Sequence, residues 1–129
     1  MPHRLLAIGL AALAIGALPS VVCAGFPSPE EWRDQVIYQV ITDRFANGNA
    51  ANDALEGNYD PASGSKIHGG DFRGLEQKLD YLQTLGVTAV WLSPVPLNAY
   101  AEYHGYAARD FTTIAPHFGG LADLQSLVQ

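Results

Sequence analysis

The sequence predicts an α/β fold, because two strand-like segments flank one helix-like segment. Residues 36–41 and 87–92 are apolar runs rich in β-branched and aromatic side chains, which is typical of strands buried on both faces. Between them, leucines recur at spacings of four, three and three, as on one face of a helix. A strand, a helix and a second strand in this order form a unit whose two strands lie parallel in one sheet.

The connection after the first strand is long. Residues 47–70 are rich in Asn, Gly, Ala and Ser without a hydrophobic period, which predicts a loop, and a loop of this length is usually functional. We expect the next helix to end at Gly86 in the C′ position and to pack through Leu75, Leu79, Leu82 and Leu85. Pro94 and Pro96 end the second strand, and residues 121–128 begin another amphipathic helix.

Two parallel strands of this type leave apolar faces and unpaired edges exposed, and no other segment has the pattern of a strong strand. We therefore expect the chain to be an incomplete part of a larger barrel that folds poorly alone. The segments after both strands leave the sheet at its carboxyl edge, where open α/β sheets and (β/α)₈ barrels bind ligands.

Residues 1–24 have the pattern of a secretory signal peptide. Arg4 precedes an apolar run over residues 5–18, and Val22 and Ala24 satisfy the small-residue rule for cleavage. The run is shorter than the roughly 20 residues of a membrane-spanning helix, which disfavours an anchor. We expect a signal peptide over 1–24, a mature barrel segment over 25–129, and an extracellular or periplasmic protein that leaves the membrane after cleavage.

The composition restricts the partners. Seven Lys and Arg against thirteen Asp and Glu give a formal charge of −6, which disfavours nucleic acid and anionic membranes. A neutral substrate or a cation suits this surplus, although a solvated acidic surface also explains it. The one cysteine, Cys23, leaves with the signal peptide unless it is lipid-modified, so a large core or a metal must stabilise the mature chain.

The long loop concentrates side chains that carry oxygen. The set comprises Asn47, Asn49, Asn52 and Asp53, followed across the loop by Gly69 and Asp71. Oxygen ligands without His or Cys suit Ca²⁺, but the spacing is not that of an EF-hand. The same residue types are ordinary in turns, and the spacing alone favours that interpretation.

Tyr103, His104 and Tyr106 follow the second strand, at the predicted ligand-binding edge. A sugar ring offers an apolar face for stacking and hydroxyls for hydrogen bonds, so Tyr and His together can form a carbohydrate platform. Packing within the loop explains such a motif at least as well.

Four motifs, taken in order, resemble the α-amylase family, glycoside hydrolase family 13, with bacterial α-amylases and cyclodextrin glycosyltransferases as the closest types. They are YQVITDRF at 38–45, HGGDFRGL at 68–75, LGVTAVWLSP at 85–94 and YHGYAARDF at 103–111. The resemblance extends from Trp32 to Gln129. It implies the N-terminal portion of a TIM (β/α)₈ barrel: the first strand, the first helix, the second strand and the start of the second helix.

The resemblance implies retaining hydrolysis of α-1,4-glucosidic bonds in starch-like polysaccharides and maltooligosaccharides. It places Tyr106 in stacking contact with the sugar at the cleavage point and His104 in hydrogen bonding to it. The family's three catalytic carboxylates fall beyond Gln129, so no catalytic residue is assigned here and these residues alone are expected to be inactive. Asp43 and Asp110 are expected to be structural.

The resemblance also implies a Ca²⁺ site formed by Asn47, Asn49, Asn52, Asp53, Gly69 and Asp71, with the glycine contributing its carbonyl. Asn47 stands where relatives usually carry Asp, which removes one charge. Ala107 stands where cyclodextrin-forming relatives tend to carry an aromatic residue, which favours hydrolysis over cyclisation. Two alternatives stay open: a non-catalytic carbohydrate-binding or interaction protein with an amylase-like fold, and a truncated inactive remnant.

We predict that the exported protein begins at Gly25, because the cleavage rule is met at Val22 and Ala24. Mass spectrometry of the N-terminal peptide of secreted material measures this directly. A lipid-modified N-terminus at Cys23 would contradict the prediction.

Overall fold

The structure is a computed structural model that describes residues 28–129. The signal peptide, the alternative at Cys23 and the start at Gly25 all lie outside the described residues. Within the described part, no helix has the length and apolar character needed to cross a membrane.

A two-stranded parallel sheet is the framework of the fold. Strands β1 (Ile37–Val40) and β2 (Ala89–Leu92) pair in register, with Ile37 opposite Ala89 and Val40 opposite Leu92. The predicted parallel β-α-β unit is therefore confirmed. Both strands are shorter than the apolar runs that predicted them, although the Val36 carbonyl still accepts hydrogen bonds from the amides of Thr88 and Ala89.

Three short helices connect the two strands: α1 (Thr42–Phe45), α2 (Phe72–Glu76) and α3 (Leu79–Thr84). No strand or helix interrupts the long loop between α1 and α2, as predicted. The prediction of one continuous helix is wrong, because the chain leaves the helical conformation at Lys78, where φ is −108° and ψ is 6°. The leucine spacing continues across Lys78, so the sequence pattern alone does not reveal that the helix is broken there.

The end of α3 has the predicted geometry. Gly86 has a φ of 84°, its amide donates to the Gln83 carbonyl at 2.9 Å, and the Val87 amide donates to the Leu82 carbonyl at 3.1 Å. These two bonds form a Schellman motif with Gly86 at C′. Leu85, in contrast, is 55% exposed, because it lies past the last helical residue. Its predicted place on the packed face is therefore wrong.

An antiparallel hairpin follows the parallel sheet, and the sequence did not predict it. Strand β3 (Pro96–Asn98) pairs with β4 (Ala108–Ile114) in a separate sheet with irregular register. Pro96 begins β3, the position where a strand tolerates proline. Four of the seven residues of β4 are polar or charged, namely Arg109, Asp110, Thr112 and Thr113, so this strand lacks the apolar density by which buried strands are recognised.

The last helix, α4 (Leu121–Val128), confirms the predicted amphipathic segment and joins two hydrophobic cores. One core contains Val40, Leu75 and Leu82; the other contains Phe72, Ala115 and Phe118. Leu127 of α4 packs against both. On the parallel sheet, Ile37 and Trp91 are more than half exposed, which agrees with the expected uncovered apolar face.

A buried hydrogen bond between a histidine and a glutamate ties the long loop to the turn before α4. His117 is fully buried in a 3₁₀ turn (Pro116–Phe118), and its Nδ1 is hydrogen-bonded to the Glu56 carboxylate. The same carboxylate accepts the His117 amide at 3.4 Å. Burial acts to raise the pKa of Glu56, but the hydrogen bonds and charge of His117 outweigh it and lower that pKa below its usual value.

We predict that Glu56→Ala lowers the free energy of unfolding of the full-length protein by about 1–3 kcal/mol at pH 7, because His117 loses its buried partner. Glu56 contributes this stability above its unfolded-state pKa of about 4.3 and loses it as the pH falls through the lower folded-state pKa. Thermal melts of wild type and variant at pH 7 and at pH 3 measure the difference. Glu30→Ala, at an exposed position, is the control; equal differences at both pH values would contradict the prediction.

Candidate functional site

The carboxyl ends of β1 and β2 are locked together by two buried hydroxyl groups. The Ser93 Oγ accepts the Thr42 amide at 3.1 Å and lies 3.2 Å from the Thr42 hydroxyl oxygen. The Ser93 amide donates to the Val40 carbonyl at 2.9 Å. Both residues are fully buried, so these hydrogen bonds hold the two strand ends together at the edge that carries the predicted ligand-binding loops.

A close backbone contact places the 102–107 loop against this edge. Gly105 has a φ of 84°, and a Cβ at this position would lie 1.9 Å from the Pro94 carbonyl oxygen. Only glycine fits both the conformation and the approach. His104 and Tyr106, on either side of Gly105, are therefore held beside the end of β2, as predicted, although β3 intervenes in the chain.

His104 and Tyr106 form one unit. The Tyr106 amide donates to His104 Nδ1 at 2.9 Å, so this nitrogen is the acceptor and the neutral ring carries its proton on Nε2. The two rings lie 6.0 Å apart at an interplanar angle of 29°. The Gln39 side chain of β1 donates to the Tyr106 hydroxyl at 3.3 Å, while the tyrosine stays 56% exposed. The exposed Tyr106 ring thus lies beside the His104 imidazole, whose Nε2 lies 3.6 Å from the Glu102 carboxylate.

Tyr103 supports this unit rather than extending it. The Arg44 guanidinium covers its ring at 3.8 Å from the centroid, and His104 contacts it edge to face at 5.2 Å. Arg44 also donates to the Gly64 carbonyl at 2.9 Å and lies 3.2 Å from the Asp43 carboxylate. Of the three residues considered for a sugar platform, Tyr103 is the one whose ring is covered by other side chains of the protein, Arg44 and His104.

The predicted oxygen-bearing residues come together in the long loop. Asp71 is buried and its Oδ2 accepts the Asn49 amide at 2.8 Å and the Asn52 side-chain amide at 3.4 Å. Asn47 donates to both oxygens of Asp53, at 2.8 and 3.0 Å. A Cβ on Gly69 would lie 2.5 Å from Asn47 Nδ2 and 2.6 Å from Asp53 Oδ1, so the glycine backbone lines the same space.

Asp71 has a second role that sequence reasoning missed. Its Oδ1 accepts the Gly74 amide at 2.7 Å, which makes it the N-cap of α2, and the Gly48 amide at 3.0 Å. The available signal was its position directly before the helix, where Asp is a favoured cap.

Two features of this cluster suit a cation. Asp53 and Asp71 are 5% and 1% exposed, and no basic side chain of residues 28–129 forms an ion pair with either. Asn52 Oδ1 is buried without a hydrogen-bond partner in that same range, and an unpaired buried acceptor is costly. Three or more His, Cys, Asp or Glu do not group anywhere in the described residues, so a metal here would use amide and carbonyl oxygens as well.

The other two carboxylates near the site have structural hydrogen bonds. Asp43 is buried and accepts the amides of His68 and Gly69, and Asp110 accepts hydrogen bonds from Thr112 and Thr113. Gln39 was missed at the sequence level, although a polar residue in the middle of an apolar strand was a usable signal.

Comparison with known proteins gives one consistent family. The family model described as alpha amylase, catalytic domain, matches residues 39–129. A glycosyl hydrolase of Schizosaccharomyces pombe, described as uncharacterized, is 48% identical over 103 residues, covering 75% of this chain and 20% of its own. A cyclomaltodextrin glucanotransferase of Thermoanaerobacterium thermosulfurigenes is 43% identical over 108 residues, covering 72% of this chain and 15% of its own.

A crystal structure of an Anoxybacillus alpha-amylase superposes with a TM-score of 0.71 at 42% identity, covering 78% of this chain and 22% of that one. The chain thus spans about a fifth or less of the length of these proteins. Its parallel β-α-β unit corresponds to part of their α/β barrel, which confirms the predicted fold class.

Proposed function

Because the chain belongs to the α-amylase family of glycoside hydrolases, we propose that the full-length protein hydrolyses α-1,4-glucosidic bonds in starch-like polysaccharides with retention. The observation that carries this proposal is the paired His104 and Tyr106 at the carboxyl edge of the parallel strands. Their rings are 6.0 Å apart, and the Tyr106 ring is 56% exposed and open to a sugar.

These two side chains divide the recognition of one glucose ring. Tyr106 offers its exposed face to the apolar face of the sugar, and the hydrogen bond from Gln39 fixes the tilt of the ring. His104 contributes Nε2 to a sugar hydroxyl, because Nδ1 already accepts the Tyr106 amide, and the Glu102 carboxylate 3.6 Å from Nε2 borders the same position. Both residues bind and orient the substrate; neither is assigned a proton-transfer role.

Retaining hydrolysis needs two carboxyl groups about 5 Å apart, one as nucleophile and one as acid/base. Asp43 and Asp110 hold structural hydrogen bonds, and Asp71 belongs to the oxygen-bearing cluster of the long loop. The resemblance to the α-amylase family implies that the catalytic pair comes from later strands of the barrel, and we propose that the full-length protein carries it there. Ala107 stands where the resemblance places an aromatic residue in cyclodextrin-forming relatives, which favours hydrolysis over cyclisation.

We propose further that the loop cluster binds Ca²⁺. Asn47, Asn49, Asn52, Asp53, Gly69 and Asp71 would hold it, and the buried carboxylates without cationic partners and the unpaired Asn52 oxygen support the fit. A bound Ca²⁺ would supply positive charge that cross-links the loop oxygens, not a catalytic group. The signal-peptide pattern supports secretion into a compartment where calcium is abundant. Residues 25–129 contain no cysteine and so no disulfide, which makes stabilisation by a metal more valuable.

We predict that Tyr106→Ala and His104→Ala lower kcat on a soluble maltooligosaccharide more than they raise KM. Contacts at the cleavage subsite strengthen as the sugar approaches an oxocarbenium-like transition state, and each is worth on the order of 1–3 kcal/mol, or roughly 5-fold to 150-fold. Steady-state kinetics with folding checked by circular dichroism measure this.

Tyr106→Phe is the matched control, because it keeps the ring and removes only the hydrogen bond from Gln39. It should lose less activity than Tyr106→Ala. Wild-type kcat in both alanine variants, or a change in KM alone, would assign these residues to loop packing and remove the main support for the proposal.

We predict that excess Ca²⁺ raises the melting temperature of the full-length protein relative to EGTA, since a ligand of the native state stabilises it by mass action. Asp53→Asn should abolish this increment and leave the EGTA value nearly unchanged. Asp71→Ala should lower the melting temperature in both conditions, because it also removes the cap of α2. If the melting temperature of the wild type is the same in Ca²⁺ and in EGTA, the proposed site is contradicted and these residues are ordinary turn residues.

A further inference from the structure

The side-chain amide of Asn47 has a fixed orientation in the oxygen-bearing cluster of the long loop. Its Nδ2 donates to both oxygens of the Asp53 carboxylate, at 2.8 and 3.0 Å. Its Oδ1 accepts the Asn49 amide at 3.0 Å. Reversing the amide would place its oxygen against the carboxylate and its N–H groups against the N–H of Asn49. The hydrogen bonds at its two ends therefore determine which way it faces.

The Asp53 carboxylate is buried at this contact without a cationic partner. Asp53 is 5% exposed, and no Lys, Arg or His of residues 28–129 forms an ion pair with it. A buried carboxylate costs free energy unless hydrogen-bond donors or a cation compensate for the lost water. The contacts from Asn47 supply part of that compensation, and they tie residue 47 to residue 53 across the turn between them.

The backbone of Gly69 forms the floor under this pair. The Gly69 amide donates to the buried Asp43 carboxylate at 3.0 Å, and a Cβ on Gly69 would lie 2.5 Å from Asn47 Nδ2 and 2.6 Å from Asp53 Oδ1. Asn52 Oδ1, in the same cluster, is buried without a hydrogen-bond partner among residues 28–129. Because these residues belong to the proposed Ca²⁺ site, a bound cation would compete with the Asn47 nitrogen for the Asp53 oxygens.

We infer that Asn47 sets the calcium affinity of the long loop by taking two positions. In one position its N–H group takes the place of a cation at Asp53, and in the other its oxygen faces the bound cation. The inference rests on the proposed Ca²⁺ site and adds which residue limits its affinity.

Binding requires the amide to turn, which breaks its hydrogen bonds with Asp53 and Asn49, and a neutral oxygen is a weaker calcium ligand than a carboxylate. The loop therefore keeps its shape when calcium is scarce. Its affinity for calcium is lower than that of the same loop with a carboxylate at position 47.

Asn47→Asp separates the two positions, because a carboxylate can face a cation but cannot donate to Asp53. In EGTA the full-length variant should melt below the wild type, since two carboxylates then face each other. Isothermal titration with CaCl₂ should give a Kd roughly 10-fold or more below that of the wild type, because one more charged ligand faces the cation. The rise in melting temperature from EGTA to excess CaCl₂ should grow accordingly.

The exchanged pair, Asn47→Asp with Asp53→Asn, is the matched control. It keeps one amide and one carboxylate at the two positions, so an N–H donor again faces a carboxylate. In EGTA it should melt near the wild type and above Asn47→Asp, and its Kd for Ca²⁺ should be weaker than that of Asn47→Asp. Ala62→Asp adds a carboxylate at an exposed position of the same loop, outside the cluster, and should behave like the wild type in both measurements.

Three results would overturn the inference. They are a wild-type melting temperature of Asn47→Asp in EGTA, a wild-type Kd for Ca²⁺ in the same variant, and an exchanged pair that melts as low as Asn47→Asp in EGTA. If the wild type responds to Ca²⁺ while Asn47→Asp matches it throughout, the calcium site stands and the role of Asn47 is refuted. If the wild type ignores Ca²⁺ while Asn47→Asp melts lower in EGTA, the calcium site is refuted and the amide contact with Asp53 stands.

Discussion

The buried Asp71 carboxylate is the interaction on which the rest of the structure depends. Through charge-assisted hydrogen bonds it holds the amides of Gly48 and Asn49 at the start of the long loop and the amide of Gly74 in α2. This fixes where α2 begins, and α2 then sends Phe72 into one core and Leu75 into the other. A single side chain thus aligns the loop, the helix and both cores.

The elements that local patterns determine were predicted, and those that depend on distant contacts were not. The parallel pairing of β1 with β2 and the Gly86 cap follow from apolar runs and a glycine stop signal. The break at Lys78 does not interrupt the spacing of the leucines, and β4 lies mostly at the surface. The hydrophobic pattern of the sequence therefore reveals neither feature. The Glu56–His117 bond joins positions 61 residues apart, which no local pattern encodes.

The candidate site shows the same division. His104 and Tyr106 were predicted as sugar contacts from the family resemblance together with their residue type and place, and the structure brings their two rings within 6.0 Å of each other. The contacts that hold the two side chains in place were not predicted from the sequence. The hydrogen bond from Gln39 comes from the first strand, and the Arg44 contact with Tyr103 comes from the helix after it. Arg44 and its neighbour Asp43, which holds the His68 and Gly69 amides, connect the oxygen-rich loop physically to the aromatic unit.

The β3–β4 hairpin shares no backbone hydrogen-bond ladder with the parallel sheet. Its connecting loop carries Tyr100 at one end and His104 and Tyr106 at the other, and Gly105 holds this loop in close backbone contact with Pro94. The loop that carries the aromatic residues can therefore change separately from the parallel sheet. Insertions or deletions between Tyr100 and Tyr103 would alter this loop and leave the pairing of β1 with β2 intact, so related proteins can differ here while they keep the same strands.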